Sequence, residues 1–408
     1  MSALVVRPIT PDEVPAVIDC VNYAFGNDPT QDPQVLDRVR ATAPPGRMLA
    51  AFDGELAVAT ASTYTFTLTT CGGTAPMGGL TIVTVRPTHR RRGLLRQLMA
   101  AHLADVRARR EPISGLYASE GTIYSQFGYG VAVESDELVL AGGDDLFPTP
   151  RDRELVTLTD DQALATLPTI YAEAALIRPG MYARSHEWWQ WRRIVDRPSW
   201  RRGRSPRRHV VVRDRGVNRG YVVYRQHLEF TDGRPSGTID VEELIALDPA
   251  AEATLWHHVA AIDLYPKITV GNAAVDAIAP RLARDPRRVV RRNRHDTLWL
   301  RLDDIAAALA ARRYAHDAAL TLELAGGPDA DAPTRWRLVV DGGAGSCVPA
   351  VASPDVTLDR ATLGALYLGG VSASLLARAG KLAGTADAIA RLDRLFAWPT
   401  APWCAEQF

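Results

Sequence analysis

The chain reads as an α+β protein of two or three consecutive domains, and three observations carry that reading. An apolar, β-branched run at residues 80–85 meets a basic turn with one glycine (Arg90, Arg91, Arg92, Gly93), then an amphipathic helix and a second apolar strand. A comparable order of helices and strands restarts after residue 151, without an intact basic glycine turn. From about residue 296 the pattern changes again, to an Ala-rich helix, two strands and three further helices. At 408 residues the chain is also too long for a single hydrophobic core.

Residues 4–7 read as a first strand, and the next helix is predicted to begin near Thr10, with Pro11 and Asp12 in its first turn. Residues 49–52 and 55–60 flank Asp53-Gly54 and read as a hairpin. Residues 64–70 alternate aromatic or apolar side chains with Thr, a strand pattern. In the helix after the basic turn, Leu94, Leu95, Leu98, Met99, Leu103 and Val106 recur at helical spacing, and residues 113–118 form the following strand. Residues 142–150 are polar and Pro-containing and mark a boundary, so the first domain is drawn at 1–148. In the second, 149–295, helices are expected at 168–178, 187–195 and 250–262, and strands at 209–213, 220–225 and 238–246. In the third, 296–408, helices are expected at 303–313, 360–368, 372–379 and 386–396, with strands 320–324 and 336–341 around a Gly/Asp-rich turn.

Lys+Arg and Asp+Glu number 47 each, so no overall charge calls for nucleic acid or an anionic membrane. The Arg clusters at 201–208 and 287–294 lack interleaved aromatics and read as a solvated face or a subunit interface. No apolar stretch approaches the roughly 18 residues of a spanning helix, and the first residues carry no signal-peptide pattern. Cys20, Cys71, Cys347 and Cys404 lie far apart with no metal-ligand spacing, so neither a metal site nor a disulfide framework is expected. These features together predict a cytoplasmic protein.

The basic turn is chemically the most informative segment. The first amides of a helix lack intrahelical acceptors, and the helix dipole favours negative charge there. Gly93 lets backbone approach a phosphate, and Arg90 and Arg91 add charge-assisted hydrogen bonds. Strand, anion-cradling turn, helix and strand suit a diphosphate-bearing cofactor.

Here the chain resembles the GNAT N-acetyltransferases, whose cofactor loop runs Gln/Arg-x-x-Gly-x-Gly/Ala. This chain has Arg90-Arg91-Arg92-Gly93-Leu94-Leu95, and Leu95 departs from the pattern. That departure, with PTHRRRGLLR (87–96), SEGTIYSQFGYG (119–130), VEELIALDPAAEATLW (241–256), DTLWLRL (296–302), LGALYLGG (363–370) and a terminal Phe408, resembles the Eis (enhanced intracellular survival) branch. The resemblance implies two tandem GNAT-like domains, the second without a cofactor site, followed by a sterol-carrier-like domain. It implies acetyl-CoA as cofactor, an aminoglycoside or polyamine-like small-molecule acceptor, a link to antibiotic resistance, and a homohexamer.

It also implies site residues. The backbone of Ile82, Val83 and Val85 would polarise the thioester, although these side chains also read as plain core. Arg90, Arg91, Gly93 and Leu94 would hold the diphosphate. Ser119 would bond the cofactor or cap the next helix. Tyr124 stands at the position of the catalytic acid; its phenol is protonated at neutral pH, while a core aromatic beside Phe127 and Tyr129 is the plainer reading. Tyr129 competes for the same role, but between Gly128 and Gly130 it reads as structural. The Phe408 carboxylate would act as base or attract the amine, with Trp403 and Phe408 arguing for docking against an ordinary frayed terminus. Phe25, Tyr64, Phe66 and Ile82 would line the acceptor channel, with core packing an equal reading. Tyr117 stands where relatives carry a His. An acidic position of the family falls on Asn27, with Asp28 adjoining, and the family's penultimate Glu is Gln407, with Glu406 next to it. No Cys is placed as an acyl carrier near Tyr124, so direct attack is expected. Two rival readings are acetylation of a protein Lys or small metabolite amine, and a lipid-binding or interaction protein with a lapsed site.

Overall fold

The computed structural model describes residues 4–27, 33–43, 45–148, 153–325 and 334–408. They form two compact units. One gathers the chain up to Val133 with Thr297–Pro399 and Gln407–Phe408; the other is Glu134–Asp296 with Thr400–Glu406. Among the described residues no helix is long and apolar enough to cross a membrane.

The first unit opens with β1 (Arg7–Pro8), a 3-10 turn at Pro11–Glu13 and α1 (Val14–Phe25). Val14, Val17 and Ile18 give α1 one buried face, and it ends where Gly26 takes φ 69°, a left-handed conformation. After α2 (Pro33–Thr42) come β2 (Met48–Asp53) and β3 (Leu56–Thr69), joined through Gly54 as the Asp-Gly pair predicts. The strand pattern at 64–70 proves to be the far half of β3. Then follow β4 (Thr74–Val85), α3 (Leu94–Ala108), β5 (Ile113–Leu116), α4 (Gly121–Tyr124) and β6 (Gly130–Val131). Leu94, Leu98 and Met99 of α3 pack with Leu49, Ala59, Ala61, Leu80 and Leu116 from the sheet.

The second unit holds β7 (Glu134–Ala141), β8 (Glu154–Leu158), α5 (Asp160–Ala175) and α6 (His186–Trp188), which runs into a π-helical segment at Trp189–Ile194. Next are β9 (Arg208–Asp214), β10 (Val217–His227), a small hairpin of β11 (Phe230–Thr231) and β12 (Arg234–Pro235), and β13 (Thr238–Ala246). α7 (Pro249–Ala260), β14 (Lys267–Ala274), α8 (Ala279–Leu282) and β15 (Val289–Asp296) complete it. The sheet order is β15-β7-β14-β13-β10-β9-β8. Side chains alternate across it: Val210, Val212 and Val222 join the core under α7, while Val211, Tyr221 and Val223 join the core under α5. The helix expected to start at Pro168 begins eight residues earlier. Thr159 and Gln162 form a capping box, and Pro168 lies inside the helix.

The chain then returns to the first unit with β16 (Trp299–Leu302). This strand pairs antiparallel with β5 and β6, so the first sheet runs β1-β2-β3-β4-β5-β16-β6. Strand pairing therefore divides the chain at 133/134 and 296/297, whereas residues 134–141 were assigned above to the first domain. The expected limit at 148/149 falls where the described residues break off after 148. Beyond β16 come α9 (Ile305–Ala310), β17 (Ala318–Leu324), β18 (Arg335–Asp341), β19 (Ala344–Pro349), β20 (Val356–Leu358), α10 (Arg360–Leu366), α11 (Ala373–Arg378), β21 (Leu382–Gly384) and α12 (Ala386–Phe396). They build a five-stranded sheet ordered β19-β18-β17-β20-β21.

β16 also brings a buried charge. Arg301 donates to Asp303 at 2.8 Å and to the Phe127 carbonyl at 2.5 Å. Ser114 donates to Asp303 at 2.6 Å, Tyr129 donates to Ser114 at 2.9 Å, and His102 bridges Tyr129 and Thr63 at 3.1 and 2.8 Å. A buried ion needs such partners, because desolvation otherwise outweighs any attraction. Many arginines of the two clusters are likewise paired within the second unit: Arg201 with Asp196, Arg204 with Asp240, Arg207 with Glu242, and Arg291 and Arg294 with Asp136.

Candidate active site

β4 and β5 pair in parallel from Met77↔Ile113 to Leu80↔Leu116 and then part. β4 continues to Val85, paired among the described residues with β3 on its other side. Just past the last parallel pair the β3–β4 register slips. There Ile82 takes φ 45°, a left-handed conformation that a β-branched residue adopts at a steric cost of order 1–3 kcal/mol. The bulge is pinned from β3: Thr60 donates to the Ile82 carbonyl at 2.9 Å and lies 2.7 Å from the Thr84 hydroxyl. Ile82, Val83 and Val85 are half-buried. Strained backbone at the point where two parallel strands diverge is a place where amides can be aimed at a ligand rather than at a neighbouring strand.

The basic turn lies at the end of β4. Pro87–His89 is a 3-10 turn, Arg91 takes φ 62°, and Gly93, φ 78°, is the N-cap of α3. Arg90, Arg91 and Arg92 are exposed. No side chain caps α3 and no acid occupies its first turn. α1 likewise has no side-chain cap, whereas α5, α7 and α12 are capped by Thr159, Asp248 and Thr385. A Cβ on Gly93 would meet nothing within 4 Å. Uncapped amides, open space and three guanidiniums make an anion cradle.

Tyr124 ends α4, 6 % exposed, its ring edge-on to Tyr129 with centroids 6.4 Å apart. Burial, then the Glu120 carboxylate, push its phenol pKa up, so it stays protonated at neutral pH. Tyr129 is fully buried and committed to Ser114 and His102. Phe408 packs into a ring cluster: Phe66 at 4.9 Å, Tyr117 edge-on at 5.3 Å and Tyr64 edge-on at 6.2 Å. Thus Tyr64, Phe66, Tyr117 and Phe408 come together, while Phe25 is 55 % exposed at the last turn of α1 and outside that cluster. Asp28 lies outside the described residues; Asn27 donates its amide to the Asn22 carbonyl. Ser119 is exposed and does not cap α4, whose N-cap is Glu120. Cys20 sits behind the bulge, 3.6 Å from Thr84, and burial pushes its thiol pKa up, which keeps it unreactive.

Two features went unnoticed in the sequence. Gly79 of β4 carries no side chain where a Cβ would stand 2.5 Å from the Phe66 ring and 3.0 Å from the Phe408 ring. Glu406 is not free to face an acceptor: it accepts from Trp188 at 2.7 Å and pairs with Arg184 at 2.7 Å within the second unit.

The residues present fit an acyl-coenzyme A. Its diphosphate would take the first amides of α3 with Arg90, Arg91 and Gly93, and its arm the unpaired edge of β4. Among the described residues no group of His, Cys, Asp or Glu could hold a metal ion.

Comparison with known proteins agrees with this geometry. Residues 5–132 and 180–302 each match an acetyltransferase (GNAT) domain family, and residues 305–405 match a sterol carrier protein domain. An uncharacterized N-acetyltransferase of Streptomyces avermitilis is 36 % identical over 89 % of both chains. N-acetyltransferase Eis of Mycobacterium tuberculosis is 33 % identical over 79 % of this chain and 78 % of its own. Eis1 from Mycobacterium abscessus superposes with a TM-score of 0.82 at 30 % identity, covering 99 % of this chain and 100 % of that one. The fold thus defines a tandem GNAT acyltransferase with a sterol-carrier-like C-terminal part. The chain belongs to the Eis family of GNAT N-acetyltransferases.

Proposed function

We propose that this enzyme moves an acetyl group from acetyl-CoA to an amine of an aminoglycoside or polyamine-like acceptor, by direct attack and in the cytoplasm. The observation that carries the reading is the chain terminus: Phe408 packs against Tyr64, Phe66 and Tyr117, beneath the strand whose bulged backbone diverges from β5. The thioester would supply an activated acetyl group. Amides of Ile82–Val85 orient and stabilise negative charge on its carbonyl oxygen. Tyr124 Oη holds the proton that the departing sulfur requires. The Phe408 carboxylate attracts the acceptor ammonium and takes its proton. Ile82, Tyr64, Phe66 and Tyr117 shape the channel, and Phe25 stands at its exposed margin. Drug resistance follows where the acceptor is an aminoglycoside, and a homohexamer is the expected assembly.

A second reading keeps the chemistry and changes the acceptor to a protein Lys or a small metabolite amine. It is favoured by Asn27 and Gln407 at positions where the family carries acids, and by the engagement of Glu406 with Arg184. Release of free thiol from acetyl-CoA against aminoglycosides, polyamines, arylalkylamines and a lysine-rich peptide separates the two. Aminoglycoside or polyamine turnover with added acetyls in the mass spectrum supports the first reading; turnover confined to arylalkylamines or the lysine-rich peptide supports the second. Cofactor binding without turnover on any acceptor would overturn both.

A further inference from the structure

The second unit repeats the geometry of the first. β13 and β14 pair in parallel over Thr238↔Lys267 to Val241↔Val270 and then diverge, again for four residue pairs. A register slip in β10–β13 again follows the last parallel pair, at Glu242. The turn into the helix, however, is Leu247-Asp248-Pro249. Asp248 caps α7 and pairs with Arg153 and Arg219, so an acid stands where the first unit offers guanidiniums to an anion. With Asp248 already on its first amides, α7 offers a diphosphate no open cradle.

The cleft is nevertheless used. The described segment Thr400–Glu406 belongs to the second unit and runs across the open ends of these strands. The Ala401 amide donates to Asp276 at 3.1 Å, and Arg178 donates to the Ala401 carbonyl at 3.0 Å. Asn272 of β14, beyond the last parallel pair, donates to the Cys404 carbonyl at 2.9 Å and accepts from the Trp403 indole at 3.3 Å. The Trp403 amide donates to Pro179 at 2.8 Å, and the Trp403 and Ala405 side chains enter the core beside Ile245 and Met181. Glu406 then meets Glu243 of β13, also beyond the divergence, across two shared arginines. Arg184 lies 2.6 Å from Glu243 and 2.7 Å from Glu406, and Arg193 lies 3.3 and 3.9 Å from them. The Arg184 and Glu243 side chains have no exposure at all. The two acids balance the two arginines in a largely buried setting, with Arg193 and Glu406 side chains 11 and 9 % exposed, where removing one partner leaves an uncompensated charge.

We propose that the diverging strands of the second unit are a seat for the chain's own C-terminal arm, and that Glu406 is the positioning residue that fixes it there. Phe408 lies two positions beyond Glu406, so at about 3.5 Å per residue it has little freedom once Glu406 is held. On this view the second unit keeps the GNAT cleft as a peptide holder. The proposal rests on the reading above in one respect only, that the Phe408 carboxylate takes part in catalysis.

The test uses the full-length untagged protein, its Glu406→Ala and Glu406→Gln variants, Trp188→Phe as a milder variant should Glu406→Ala fail to fold, and a chain ending at Gln407. Carboxypeptidase A releases Phe408, followed by intact mass, and amine acetylation is followed by thiol release. Glu406→Ala is expected to speed phenylalanine release by roughly tenfold or more, because proteolysis tracks the opened population. Trp188→Phe and Glu406→Gln should fall between it and wild type. Turnover at saturating acetyl-CoA should drop with Glu406→Ala by about tenfold or more while the KM for acetyl-CoA changes by less than about twofold. Unchanged phenylalanine release in all three variants overturns the seat. Faster release with undiminished turnover overturns the positioning role if the chain ending at Gln407 is impaired. If that shortened chain is fully active, the role of the carboxylate fails instead, while faster release still upholds the seat.

Discussion

Gly79→Ala is the most exposed single test of where the terminus lies. Gly79 faces Tyr64 on β3 and Gly115 on β5 within regular sheet, so alanine meets no backbone penalty there. Its Cβ would lie 2.5 and 2.7 Å from two carbons of the Phe66 ring and 3.0 Å from Phe408 Cε2. Carbon atoms rest about 3.5–4.0 Å apart, so the Phe66 ring must move by roughly 1–1.5 Å and the Phe408 ring by roughly 0.5–1 Å. Overpacking of this kind costs about 1–3 kcal/mol. If that falls on the reacting arrangement, kcat/KM drops by about 5- to 150-fold. The assay is thiol release across acceptor concentrations, with cofactor affinity measured separately and expected to stay near wild type. Gly271→Ala, where a Cβ meets nothing within 4 Å, is the control. Combining Gly79→Ala with Phe66→Leu should harm less than the sum of the two, since they share one space. A Gly79→Ala enzyme with kcat/KM within about twofold of wild type would refute the placement of Phe408 in this cluster.

Tyr124→Phe should lower kcat by roughly 100-fold or more with cofactor affinity near wild type; unchanged turnover removes Tyr124 as the acid. A residue or tag appended after Phe408 should impair turnover, and full activity of such a protein contradicts a role for its carboxylate. Gly93→Val should raise the KM for acetyl-CoA and lower stability by about 1 kcal/mol, since φ 78° disfavours a branched side chain. Burial, helped by the Arg47 charge, holds the His102 pKa at about 3. The unfolded chain then binds a proton that the folded one refuses, so stability falls by about 1.4 kcal/mol per unit as pH drops below about 6.5. Thermal melts of wild type and His102→Gln should diverge in slope between pH 6.5 and 5; parallel slopes count against a buried neutral His102.

How much of this was legible in the sequence depends on how local each signal is. The basic turn and α3 declare themselves, because apolar spacing, Gly93 and the arginines lie within twenty residues. The start of α5 was missed because Pro168 looks like a first-turn proline, and the weaker Thr159–Gln162 box decided the matter instead. Resemblance singles out Phe408, and the nearby Trp403 only hints at docking, since a terminal Phe has no intrinsic reason to be packed. The transfer of β7 to the second sheet and of β16 to the first is invisible to periodicity, which finds a strand but not its neighbour. Likewise the left-handed turn at Ile82 contradicts its side chain's own preference and is imposed by tertiary contacts, notably Thr60. Glu406 reads as one more surface acid until Arg184 and Trp188 are brought to it.

The placement of β16 sets a timetable for synthesis. β6 ends at Val131, and the strand that must slide between it and β5 begins only at Trp299. At about 5–20 residues per second a ribosome needs roughly 8–34 s to cover that interval. Throughout it the nascent first sheet has an open edge, and Ser114 and Tyr129 wait for Asp303 and Arg301. The first sheet therefore stays unfinished until the whole second unit has been made, and closure of the amino-terminal unit waits on the unit inserted into it.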